Sequence, residues 1–123
     1  MSVFTISKDD LVKRKLIPEG WYPMYIEGTT TGKNKESGAM TCTVKFRVTG
    51  GEKEGHVIET IYSEKFVSRV IDLYEGITGT ELSDPGQLDL SKLIKRPFLG
   101  YVNHNTYNGE TNNQVSGARP ADA

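Results

Sequence analysis

Four cations, Lys33, Lys35, Lys45 and Arg47, lie in a stretch of this 123-residue chain where Glu36 is the only opposing acid between positions 31 and 49. Ammonium and guanidinium groups gathered in this way suit a phosphate backbone, because each phosphate contact releases condensed counterions. Aromatic rings supply the complementary chemistry, a stacked base being worth roughly 1–3 kcal/mol. Tyr25, Tyr62, Tyr101 and Tyr107 are the candidate platforms, with Trp21 and Tyr22 beside them in sequence. A plainer reading carries equal physical weight. Lys and Arg opposite an apolar strand face are often only its solvated side, and strand tyrosines often pack with a wet hydroxyl. Trp21 is the aromatic most expected in the core.

Other chemistry finds little support. His56 and His104 stand apart with no cysteine pair or acidic cluster beside either, unlike metal-ligand spacing. Ser63, Ser68 and Ser83 lack the glycine-bounded elbow of a serine nucleophile, and no phosphate-cradling loop ends in Gly-Lys-Ser or Gly-Lys-Thr. The acid pairs Asp9-Asp10 and Glu52/Glu54 sit in terminal or turn contexts. No catalytic residue, metal or cofactor is expected, and the chain reads as a binding protein rather than an enzyme. The one cysteine, Cys42, has no partner for an intramolecular disulfide and alternates with Met40 and Val44, as a small core residue in a reducing compartment would.

The positioning elements follow from periodicity. Met40, Cys42, Val44, Phe46 and Val48 alternate with Thr41, Thr43, Lys45, Arg47 and Thr49, which gives a strand with one face on a core and the other open. An aromatic-rich strand is expected over 20–28, at an edge or bulged near its start because Pro23 cannot donate to a ladder. A third strand is expected over 56–62. Ser63 reads as an N-cap, and Phe66, Val67, Val70, Ile71, Leu73 and Tyr74 recur at helical spacing until Gly76. A short helix before Pro97, a strand over 98–107, the Asn108-Gly109 turn and a returning strand over 110–116 complete the order.

This order predicts a mainly β, five-stranded OB-like barrel, β-β-β-α-β-β, with one amphipathic helix between strands 3 and 4. A small open β-sandwich with a helical plug remains the alternative. At 123 residues one domain is expected, with its core over about 17–117, an N-terminal segment 1–16 and a flexible tail 118–123. The formal charge of −1 argues against coating nucleic acid by bulk attraction, so such a role needs a local patch. No apolar run approaches the roughly 20 residues of a spanning helix, and the N-terminus does not read as a secretion signal.

Several runs also resemble a family of small bacteriophage proteins. They are Leu16-Ile17-Pro18-Glu19-Gly20-Trp21-Tyr22, Lys35-Glu36-Ser37-Gly38 ahead of Phe46-Arg47-Val48, and Gly55-His56-Val57-Ile58. Arg96-Pro97-Phe98, Tyr107 to Val115 and Ala118-Arg119-Pro120 extend the likeness. Members of that family resemble phage single-stranded-DNA-binding proteins. The resemblance implies sequence-tolerant binding of single-stranded DNA during phage DNA replication or recombination, in the cytoplasm of the infected bacterial host, beside phage replication or recombination proteins. It supplies no residue set, and the lack of an acidic cluster in the tail argues against partner recruitment there. The alternatives are an accessory protein that binds a host or phage protein through a strand edge or its helix, and a structural component of a particle. A homo-oligomer paired through edge strands or the segment 9–16 is open.

Overall fold

Alternating burial defines the strands, and the computed structural model describes residues 2–122. β1 (Gly20–Lys33), β2 (Met40–Val48) and β3 (Val57–Ser63) form an antiparallel meander. β4 (Phe98–Tyr107) and β5 (Glu110–Pro120) form a hairpin whose first strand pairs back on β1, Trp21 opposite Tyr101 and Met24 opposite Phe98. The protein is thus mainly β, one five-stranded antiparallel sheet in the order β3-β2-β1-β4-β5. The end strands β3 and β5 point the same way, and the backbone N–H of Val115 donates to Thr60 Oγ1 between them at 3.2 Å.

Met24 and Ile26 of β1, Val44 and Phe46 of β2, and Phe98 and Val102 of β4 are fully buried. The Phe46 and Phe98 rings meet edge to face at 6.0 Å. A principal helix between β3 and β4, α2 (Val67–Thr78), closes this core with Leu73 and Ile77, while Leu90 and Leu93 enter from a 3-10 turn. Burying each such side chain stabilises the fold by roughly 1.5–3 kcal/mol.

Ser63 caps the helical region as expected, its hydroxyl accepting from Lys65 N at the start of a 3-10 turn that leads into α2. The stop differs from expectation: α2 runs past Gly76 to Thr78 and ends on Gly79, whose φ of 71° gives the left-handed cap. Gly76 is there for closeness, since a Cβ would sit 2.4 Å from the Ala118 carbonyl oxygen. The tail expected over 118–123 is likewise corrected. β5 continues through Ala118, Arg119 and Pro120, opposite Gly100, Leu99 and Phe98, because the start of β4 needs a ladder partner and α2 packs on it. Ala123 lies outside the described residues. The Asn108-Gly109 turn forms as expected, with φ of 53° and 77°.

The N-terminal segment is also ordered. Ser7 and Asp10 form a capping box that starts a short helix, α1 (Lys8–Val12). Buried Asn113 then fixes the link to β1: its Oδ1 accepts from Ile17 N at 3.0 Å and its Nδ2 donates to Lys15 O at 2.7 Å. His56 lies beside it, and burial pulls its imidazole below the usual value. No helix among the described residues is long and apolar enough to cross a membrane.

Candidate nucleic-acid interface

On β1, Tyr22, Met24 and Ile26 turn inward, so Trp21, Pro23 and Tyr25 share the outer face. Trp21 is opposite Tyr101 and Tyr25 opposite Arg47, which carries the outer face from β4 across β1 to β2. Trp21 is not in the core; it is 42% exposed. Its ring meets Tyr101 edge-on at 5.3 Å, and the Arg119 guanidinium lies 3.7 Å from its centroid. Four residues along, the Lys95 ammonium stands 4.6 Å from the Tyr25 centroid. Lys95 has φ of 72°, unusual for a residue with a Cβ, and its N–H is held by Ile26 O at 2.9 Å. Such strain, about 1–3 kcal/mol, persists where the surroundings impose it. Here they place a cation over a ring.

Of the cations expected at the site, Lys45 and Arg47 face outward on β2, but their charge is matched. Glu27 follows Tyr25 on the outer face of β1, at the bulge between Ile26 and Gly28, and its carboxylate takes Arg47 Nε at 2.9 Å and Lys45 Nζ at 3.2 Å. Asp9 of α1 lies across the same pair, 2.8 Å from Arg47 Nη2 and 3.1 Å from Lys45 Nζ. Both acids come from outside the span in which the sequence shows an excess of cations. The bonds from Arg47, then Lys45, hold the Asp9 carboxyl at about 2, and Glu27 is lowered by the same two partners. This cluster is therefore intact above the ordinary carboxylate range and is lost as pH falls toward 2.

Lys33 and Lys35 are exposed but remote: Lys33 pairs with Met40, seven positions along β2 from Arg47, or about 23 Å on an extended strand. Tyr107 is 72% exposed at the tip of the β4–β5 hairpin. That tip and the β1–β2 loop lie at opposite ends of the outer face, since β1 and β4 run antiparallel. Tyr62 lies inward, 5% exposed, and burial pushes its phenol well up. The structure thus brings together Trp21, Tyr25, Tyr101, Lys95 and Arg119. Two of these, Lys95 and Arg119, went unread, and Trp21, weighed as a platform but expected in the core, shares its parity with residues 23 and 25 on the outer face. Among the described residues neither Lys95 nor Arg119 has an ion-pair partner, and no metal-holding cluster of His, Cys, Asp or Glu occurs.

Compared with known proteins, the chain matches no family model and none of the curated proteins.

Proposed function

We propose that this protein binds single-stranded DNA without sequence preference on the outer face of β1 and β4. Bases stack on Trp21, Tyr25 and Tyr101, while Lys95 and Arg119 meet phosphates or extend the stacks. One observation carries this reading: two outward rings on one strand each hold a cation that has no ion-pair partner among the described residues. Ring faces accept any base, and the cations supply attraction to the backbone. The exposed hairpin ends bearing Lys33, Lys35 and Tyr107 flank the track on either side. The strand order, with β3 and β5 aligned and joined through Thr60, supports closure as an OB-type barrel whose loops border such a groove. With the phage likeness, this favours a role in phage DNA replication or recombination inside the host bacterium, by a non-enzymatic protein that protects or presents single strands.

Trp21 is the only tryptophan, so its fluorescence reports directly on the proposed stack. Titration with oligo-dT is expected to quench it in a saturable, salt-sensitive way, while a duplex of equal length quenches it less. Saturating duplex binding with no response to oligo-dT rejects the proposal, as does no binding of either at low salt.

Two substitutions refine the footprint. Lys95→Gly relieves the left-handed backbone and removes the cation, so the melting temperature is expected to hold or rise while oligo-dT affinity falls severalfold. Melting and anisotropy measured on the same preparation check both halves of that statement. Asp9→Asn uncovers positive charge on β2. Affinity is expected to rise, and the slope of log K against log salt to steepen by about 0.7 for each phosphate gained. An unchanged slope places β2 outside the DNA track.

A further inference from the structure

A groove of about 830 Å³ opens on the other side of the molecule, between α2, the ends of β2 and β3, and the segment 82–91 that leads toward β4. Met40, Cys42, Val67, Val70, Ile71 and Leu88 make its walls apolar, and Met40 and Val67 are more than half exposed. Its charged lining is Glu64, Asp84 and Asp89, with no lysine, arginine or histidine. Such a lining repels a nucleic acid backbone and suits an apolar segment free of acids.

The chain carries a segment of that kind. Ser2 to Ile6 belongs to no helix or strand and precedes α1, and Val3, Phe4 and Ile6 are 80%, 84% and 66% exposed. From Ser2 to Lys8 there is no acid and one lysine, opposite in sign to the groove. Large apolar side chains crowded on a short exposed stretch mark a contact surface. In an extended segment Phe4 and Ile6 project on one side, spaced to enter a groove together.

The arm starts from the wrong side of its own sheet to fill its own groove. α1 is pinned by Asp9 to outward-facing Lys45 and Arg47, whereas the groove reaches Cys42 and Tyr62 on the helix-bearing side. We propose that the arm Ser2–Ile6 of one copy docks in the α2 groove of a second copy. The contact is heterologous, an arm given and a groove offered, so copies add head to tail. A five-residue arm buries far less than a standard interface, and association is weak in free solution. It strengthens where copies already sit side by side on one strand.

The test uses the full-length chain. Sedimentation velocity up to roughly 0.5 mM, the range where small interfaces associate, is expected to show the wild type moving from monomer toward dimer and larger species. Phe4→Asp and Val67→Glu, both at exposed positions, are each expected to remain monomeric with unchanged circular dichroism. Mixed, they regain a dimer and stop there, because one supplies the only intact arm and the other the only intact groove. Met40→Glu is the second groove variant if Val67→Glu fails to fold. Cys42, the single thiol, lines the groove, and its modification by a disulfide reagent is expected to slow with rising concentration in wild type but not in Phe4→Asp. A wild type that stays monomeric throughout overturns the proposal. So does association of Phe4→Asp equal to wild type, or protection of Cys42 at every concentration, which is the mark of an arm folded into its own groove.

Discussion

Gly76→Ala is expected to lower stability by about 2 kcal/mol, although alanine is the better helix former. The added Cβ would meet the Ala118 carbonyl at 2.4 Å and its carbonyl carbon at 2.8 Å, atoms of β5 that cannot rotate away. Overpacking of this kind costs about 1–3 kcal/mol and sometimes more. Helix propensity returns about 1 kcal/mol, so with a stiff neighbour the loss lies at the upper end and the net is destabilising. For a domain of this size the melting temperature should fall by about 8 °C, which thermal circular dichroism reads directly. A neutral or raised melting point would mean that α2 stands farther from β5 than the packing indicates.

Trp21→Ala is expected to weaken oligo-dT binding by about 5- to 150-fold, the equivalent of one lost stack at roughly 1–3 kcal/mol. Trp21 is 42% exposed and outside the buried core, so the fold should survive. Because the variant has lost its fluorophore, anisotropy of a labelled oligonucleotide is the readout. Trp21→Phe should recover part of the affinity, since a smaller ring still offers a face. If Trp21→Ala binds as tightly as wild type, the track lies elsewhere on the sheet.

Strand β2 and its inward face could be read from the chain because alternation is a local signal sustained over many residues. The Asn108-Gly109 turn was equally legible, since both residues accept the left-handed backbone it needs. Gly76 was misread for a reason of the same kind in reverse: a glycine that ends a helix and one that lets a helix approach a strand look alike until the strand is known. The frayed ending failed similarly, because Ala118 to Pro120 pair with residues about twenty positions earlier. At the site, the charge of Lys45 and Arg47 was legible but not its neutralisation, which needs Asp9, 38 residues from Arg47, and Glu27, 20 residues from it on the neighbouring strand. Tyr62 resembled a platform because nothing local distinguishes the core-facing side of its strand from the other.

The central place of β1 bears on how the chain is made. Residues Gly20–Pro23 have no partner on β2 and pair only with Leu99–Val102, more than seventy positions later. At about 5–20 residues per second, a ribosome leaves that margin of a nascent chain unpaired for several seconds. Through that interval the meander is a template for any passing strand. Pro23, with no N–H to offer, and the bulge at Glu27 then guard the growing polypeptide against the wrong neighbour until its own fourth strand emerges.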